Sequence, residues 1–215
     1  YFFLEIEHIP TVGDFDAQLP MGDLLGIFRN DIKDFDAAPE KLLKPTLKAI
    51  KSMEKVFPKS NKLKCGISWY TKATQIPDDR SIDLKRLLTV FKKLDIELVN
   101  LQYPVKDNKM VEIPKSLEGE ITTIKGVDLK DDFSGIASLV NSCDLVVTID
   151  NVTAHLASAL GKDTFVLLPL APPNFRWMIN QRSTPWYPES TVLLRKTKTD
   201  DWSKVLRELK SELSK

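Results

Sequence analysis

The stretch Leu145-Val-Val-Thr-Ile149-Asp150-Asn151-Val152-Thr153-Ala-His155-Leu-Ala-Ser158-Ala-Leu160-Gly161 decides the fold. Leu145–Ile149 is a short apolar run of strand length, and Val152–Leu160 has a helical pattern. The chain passes from one to the other with no intervening loop, and Asp150, Asn151 and Thr153 are all good N-cap residues. A second apolar run, Thr164–Leu168, follows at once. Strand, helix, strand in that order is the unit of a parallel sheet.

Working outward, the same alternation extends to both sides. Apolar runs at Leu63–Trp69, Ile96–Leu101, Ile121–Ile124 and Val192–Leu194 predict further strands. Helical patterns at Ile82–Leu94, Phe133–Asn141 and Asp201–Leu213 separate or follow them. Residues 62–215 therefore read as one α/β domain, a Rossmann-like doubly wound parallel sheet of about six strands. Residues 1–61 are more mixed. They hold an edge-strand pattern at Tyr1–Glu7, turn-rich sequence, and a helical pattern over roughly Pro39–Phe57 ending at Pro58. That stripe comprises Leu42, Leu43, Leu47, Ile50, Met53 and Phe57, with Pro45 as a candidate for its true start. The chain opens on Tyr1 and has no signal-peptide features, which predicts a piece of a longer chain.

Composition narrows the function. Lys and Arg total 31 against 30 Asp and Glu, a net charge of +1, which argues against a large nucleic-acid footprint. No apolar run approaches the roughly 20 residues that span a bilayer. Cys65 and Cys143 form no C-x-x-C pair, so a zinc knuckle and a disulfide scaffold are excluded, and both are expected reduced and buried. His8 and His155 are the only histidines, too few for a histidine-rich metal site. There is no G-x-G-x-x-G and no G-x-x-x-x-G-K-[ST], which speaks against a nicotinamide or flavin site and a P-loop. The triplets Asp14-Phe-Asp16 and Asp34-Phe-Asp36 read as solvated loop carboxylates before they read as a metal clamp. Ser68 lacks a G-x-S-x-G elbow.

In an open α/β sheet, ligands bind beyond the carboxyl ends of the strands. Polar and aromatic residues concentrate there. They are Ser68-Trp69-Tyr70-Thr-Lys72 with Arg80-Ser81, Gln102-Tyr103, Asp131-Asp132-Phe133, Asp150–His155, and Pro169–Arg176. A helix beginning at Asn151 aims backbone amides and a positive dipole end at this crevice, an arrangement that binds phosphate. His155 in the first turn can donate to a phosphate oxygen. The same residues also serve simply as caps, with His155 packed beneath them. The segment Pro169–Pro188 carries five prolines among Phe175, Arg176, Trp177, Arg182, Trp186 and Tyr187. It reads as a rigid loop stapled by its aromatics, with Trp186 as a staple. Its two arginines can close over an anion or fasten a neighbouring domain.

These motifs, taken together, resemble the heptosyltransferase-like glycosyltransferases of family 9. More closely, they resemble the glycosyltransferase domain found behind tetratricopeptide repeats in bacterial proteins. The resemblance rests on Asp150-Asn151-x-x-x-His155-Leu-Ala-Ser158-Ala-Leu-Gly161, Val166-Leu-Leu-Pro169, Arg176-Trp177 and Ser183-Thr-Pro185-Trp186-Tyr187-Pro188. Gly66-Ile-Ser68-Trp69, Arg80-Ser81, Leu101-Gln102 and Asp201-Trp202 fit as well, so it covers roughly Cys65–Leu213. It implies the C-terminal, nucleotide-sugar-binding half of a GT-B fold, with residues 1–61 as the tail of an N-terminal domain plus a linker and connecting helix. The donor phosphates and sugar would meet Ser68, Trp69, Lys72, Arg80, Ser81, Asp150, Asn151, Val152, Thr153 and His155. The ribose and base would meet Gln102, Tyr103, Asp132 and Phe133.

The resemblance also implies direct sugar transfer to an acceptor hydroxyl on a glycan, lipid or protein. No metal or other cofactor takes part, and the general base comes from the N-terminal domain, so this chain alone would not turn over. Tetratricopeptide repeats and an N-terminal GT-B domain are the implied partners. The implied location is cytoplasmic or peripheral at the inner membrane. Ser158 replaces the usual Gly, Val152 a usual Ser or Gly, and Tyr70 a frequent basic residue. Two other functions are compatible with the sequence: a non-catalytic nucleotide-binding or interaction module that retains the fold, and a nucleotide-sugar epimerase of related topology.

Overall fold

The computed structural model describes residues 19–57, 59–71, 80–103, 113–170, 174–187, 189–198 and 201–215. The edge-strand pattern at Tyr1–Glu7 and the triplet Asp14-Phe-Asp16 lie outside them. The chain divides into two compact units between Ala38 and Pro39.

In the first unit, a 3-10 turn Met21–Asp23 leads into the short helix α1 (Leu24–Phe28). A second 3-10 turn, Ile32–Phe35, is closed by a reciprocal capping box. Asp31 accepts from the Lys33 amide, and Asp34 Oδ2 accepts from the amides of Asn30 and Asp31 at 2.8 Å each. The Asp34 carboxylate thus caps a turn. No group of three potential metal ligands occurs among the described residues.

The second unit is built on a six-stranded sheet, all parallel, in the order β3-β2-β1-β4-β5-β6. The strands are β1 (Leu63–Ser68), β2 (Ile96–Asn100), β3 (Ile121–Thr122), β4 (Leu145–Ile149), β5 (Asp163–Leu168) and β6 (Thr191–Arg195). The helices are α2 (Leu47–Val56), α3 (Leu84–Leu88), α4 (Phe133–Ser142), α5 (Val152–Ala159) and α6 (Ser203–Leu213). This is the Rossmann-like doubly wound sheet expected from the alternating pattern.

Alternate strand residues feed two cores. Ile67, Val147, Ile149 and Leu167 pack with Leu84, Leu87 and Leu88 of α3 and Val205 and Leu209 of α6. Val99 and Val146 pack on the other face with Leu139 and Val140 of α4, Ala157 of α5 and Met53 of α2. A Cβ at Gly66 in β1 would run into Leu101 Cδ1 and press on Cys143 Sγ, so a larger residue there needs the Leu101 side chain to shift. Cys65 and Cys143 are free and buried, and burial pushes the Cys143 thiol up to about 12.

Helix α2 starts later than the Pro39 expected from the pattern: Thr46 caps it, its hydroxyl accepting from the Ala49 amide, and Pro45 sits just outside. The connector before it is tied to the end of α5, where Leu42 and Leu43 both donate to the Ala159 carbonyl at 2.8 and 2.9 Å. Gly161 follows α5 in the left-handed region at φ 68° and closes it.

The helix predicted over Ile82–Leu94 is shorter than its apolar stripe. It ends at Leu88 and continues as tight turns with Thr89, Val90, Phe91 and Leu94 each bonding three residues back. Thr89 Oγ1 donates to the Arg86 carbonyl at 2.7 Å, and Lys93 adopts φ 70°. Both features break a regular helix while Val90 and Phe91 stay buried.

Candidate functional site

Strands β1 and β4 are neighbours at the point where the strand order reverses. An open parallel sheet leaves its ligand crevice there, beyond the carboxyl ends. A buried polar network ties those ends together. Asn151 Oδ1 caps α5 by accepting from the amides of Thr153 (2.9 Å) and Ala154 (3.3 Å), and it accepts from the Thr148 hydroxyl (3.1 Å). Asn151 Nδ2 donates across to Ser68 Oγ at 2.9 Å.

Ser68 Oγ in turn donates to Gln102 Oε1 (3.3 Å), which also accepts the amides of Trp69 (3.0 Å) and Tyr70 (2.8 Å). Gln102 Nε2 donates to the carbonyls of Tyr70 (3.0 Å) and Tyr103 (3.1 Å). The network therefore runs from β4 through β1 to the end of β2. The polar atoms of Ser68, Asn151 and Gln102 are engaged by the protein itself, and the Trp69 ring lies in the core. Ser81 Oγ accepts from the Thr71 amide and donates to its carbonyl, both at 3.2 Å, and Tyr103 donates to Thr71 Oγ1. Lys72 lies outside the described residues.

A second group stands beside this network. Asp150 Oδ1 accepts the indole N–H of Trp177 at 2.7 Å, and Oδ2 pairs with Arg80 at 3.4 Å. Trp177 is fully buried in the 3-10 turn Phe175–Trp177. The His155 ring stacks on it with centroids 4.6 Å apart and planes 17° from parallel. His155 Nδ1 lies 2.7 Å from the Tyr187 hydroxyl.

Burial lowers the His155 pKa below its ordinary 6.5; the Asp150 charge opposes this and the Arg176 charge adds to it. Burial raises the Tyr187 pKa, with Arg176 opposing. At neutral pH the phenol therefore keeps its proton and the imidazole is uncharged. Where the Tyr187 hydroxyl donates to Nδ1 the ring proton sits on Nε2, and where it accepts the proton sits on Nδ1.

The loop that carries Trp177 is held by Arg195. Its Nη1 donates to the Pro169 carbonyl (3.2 Å) and its Nη2 to those of Trp177 (3.0 Å) and Met178 (2.8 Å). Met178 has φ 50° and ψ 171°, a backbone conformation that side chains disfavour, and Arg195 holds it there. Arg176 lies over the rings of Phe175 (4.3 Å) and Trp186 (5.8 Å). The other arginine of this segment, Arg182, pairs with Glu212 of α6 at 2.8 Å.

At the rim, Val152 and Phe133 are exposed first residues of α5 and α4. Asp132 caps α4 by accepting from the Gly135 amide. It also lines a groove of about 480 Å³ with Thr46, Lys48 and Met53 of the α2 region and Lys125.

The structure thus joins Arg80, Asp150 and His155, and joins Ser68, Gln102 and Asn151 in the neighbouring network. It sets Asp132 and Phe133 apart at the start of α4. Sequence reasoning missed the roles of Trp177, Tyr187 and Arg195. The aromatic and proline-rich composition of 169–188 marks the segment, but no spacing pairs residue 155 with residue 187.

No protein-family model matches the chain. Protein FlbA of Caulobacter vibrioides is 33% identical over 94 residues, which are 43% of this chain and 15% of that protein. Among solved structures, the ADP-heptose LPS heptosyltransferase II of E. coli aligns with a TM-score of 0.55 at 14% identity. The alignment covers 80% of this chain and 53% of that one. The glycosyl transferase family 9 structure from Veillonella parvula aligns at 0.48 and 13% identity over 72% of this chain and 42% of its own. The chain therefore spans about half the length of that E. coli enzyme and a small part of FlbA. At such identity the likeness is one of fold: the chain has a heptosyltransferase-like glycosyltransferase fold.

Proposed function

We propose that the Pro39–Lys215 unit is the donor half of a glycosyltransferase, binding a nucleoside-diphosphate sugar at the reversal point between β1 and β4. One observation carries this: a histidine in the first turn of α5, stacked on a buried tryptophan and hydrogen-bonded to a tyrosine hydroxyl. With its proton on Nε2 the ring donates to a diphosphate oxygen, and the positive end of α5 lies behind it. Arg80, anchored by Asp150, supplies the cationic charge, with Lys72, Ser81, Val152 and Thr153 completing the phosphate and sugar side. Tyr103, Asp132 and Phe133 take the ribose and base. Ser68, Asn151 and Gln102 hold the loops in position.

Transfer is a displacement. An acceptor hydroxyl attacks the anomeric carbon, the bond to the diphosphate breaks, and the hydroxyl proton passes to a base in a separate N-terminal domain. The leaving charge is met by His155, Arg80 and the helix end, with no metal needed. The acceptor is a glycan, lipid or protein, and tetratricopeptide repeats are candidate neighbours in a longer bacterial chain. A cytoplasmic or inner-membrane-peripheral location suits an NDP-sugar. No helix among the described residues is long and apolar enough to cross a membrane.

One observation favours a second function, a non-catalytic module that keeps the fold. Asn151 already occupies the Thr153 and Ala154 amides that a phosphate would otherwise take. A thermal-shift panel of ADP, UDP, GDP and CDP separates the two. A donor site gives a selective rise with one base, about 2.7 kcal/mol at 100 times Kd. A module without the site gives none.

A further inference from the structure

The donor site proposed above needs a proton on His155 Nε2, and one neighbouring group is built to put it there. His155 is restrained in two ways. Its ring stacks on Trp177 with the planes 17° from parallel. Its Nδ1 lies 2.7 Å from the Tyr187 hydroxyl. These restraints differ in kind. Stacking fixes the plane of an imidazole but is nearly indifferent to a half-turn about Cβ–Cγ, which exchanges Nδ1 with Cδ2 and Nε2 with Cε1. A hydroxyl at one edge distinguishes the two arrangements, because only a ring nitrogen bonds to it.

The hydroxyl meets the ring from a fixed position. The Tyr187 ring packs on the buried cluster of Ala154, Val166, Leu168, Trp177 and Leu193. Its centroid lies 5.5 Å from that of Trp177 and 5.9 Å from that of His155. Trp177 is anchored in turn. Its indole N–H donates to Asp150 Oδ1 at 2.7 Å, and its carbonyl accepts from Arg195 at 3.0 Å.

Chemistry selects the direction of the bond. Between a phenol and a neutral imidazole, the phenol O–H is the more acidic donor and the ring nitrogen the more basic acceptor. O–H···N is therefore the stronger of the two arrangements. The separation of 2.7 Å also stands at the short limit for an N–H donating to oxygen. Burial favours the neutral imidazole and the protonated phenol, the forms this bond needs.

We propose that Tyr187 is the positioning residue of His155: its hydroxyl donates to Nδ1, which holds the ring in the Nε2–H tautomer and selects the edge that carries the proton. The use of that proton rests on the donor reading, in which a diphosphate oxygen accepts it. Tyr187 acts through His155 and does not itself touch the ligand.

The test reads the tautomer directly, by long-range proton–nitrogen correlation of the imidazole rings in the 15N-labelled full chain at neutral pH. His8 is the other histidine, so His155→Ala assigns the signals. The parent should show His155 with its proton on Nε2 and with Nδ1 unprotonated and hydrogen-bonded. Tyr187→Phe keeps the ring and its packing and removes only the hydroxyl. Both His155 nitrogens should then move toward the averaged positions of exchanging tautomers, a change that a role in packing alone would not produce. The parent spectrum decides the first point whether or not Tyr187→Phe folds. The second readout is the affinity for whichever of ADP, UDP, GDP and CDP binds the parent selectively. Tyr187→Phe should weaken it about three- to tenfold, the loss expected of one neutral hydrogen bond. In a His155→Ala background it should weaken it no further. The proposal is overturned if the parent carries its proton on Nδ1, or if Tyr187→Phe leaves the His155 nitrogens unmoved. It is also overturned if Tyr187→Phe binds as the parent does, or loses as much affinity with His155 absent as with it present. Binding of no nucleotide by the parent would instead overturn the donor reading, and the spectra would still decide the tautomer.

Discussion

His155 is uncharged because its ring is buried against Trp177, and that has a measurable consequence. In the unfolded chain the ring returns to its ordinary 6.5. On acidification from neutral pH, the unfolded chain therefore takes up this proton before the folded one does. Stability should fall as pH drops through 6.5 and level off once the folded form is protonated too. Urea unfolding across this range should show that His155→Gln removes part of the slope; an unchanged slope would mean that His155 is not held neutral. Trp177 offers a second residue-scale test. Trp177→Phe keeps most of the ring but leaves Asp150 Oδ1 without its donor, and should cost about 1–3 kcal/mol in denaturant unfolding. A cost near zero would show that the indole N–H contributes nothing.

At the scale of elements, the caps differ in what they hold. Thr46 caps α2 through one exposed bond, and Thr46→Ala should cost about 0.5–1 kcal/mol. Asn151 caps α5 and also bridges β4 to β1, so Asn151→Ala should cost about 1–3 kcal/mol by the same measurement. Equal losses would mean that the bridge to Ser68 carries no energy.

The elements themselves were legible in the residues. Apolar runs of strand length and N-cap residues marked all six strands and α4, α5 and α6 to within a few positions. The over-long helix at Ile82–Leu94 shows the limit. Periodicity reports which residues are buried, and a 3-10 turn buries nearly the same stripe as an α-helix. The site was legible only in part. Asp150, Asn151 and His155 announce themselves by standing at a strand–helix junction. That Asn151 turns inward to Ser68, and that His155 meets a tyrosine far along the chain, depends on tertiary contacts that local spacing does not encode.

For the whole molecule, the strand order brings the ends of β1 and β4 together and lays the loop 174–187 beside them, held by Arg195. The chain spans about half of the E. coli enzyme whose fold it shares, so donor binding and turnover belong to different scales. On the function proposed above, binding would be a property of this unit and transfer would need a partner domain. The most direct test of the central claim is calorimetric titration of ADP, UDP, GDP and CDP into the parent chain and His155→Ala, with melting curves to verify that both are folded. One nucleoside diphosphate should bind the parent selectively and bind His155→Ala roughly 10–100-fold more weakly, the loss expected for one charge-assisted hydrogen bond. Binding of none of the four, or equal binding by the two proteins, would contradict the placement of a donor diphosphate at the start of α5.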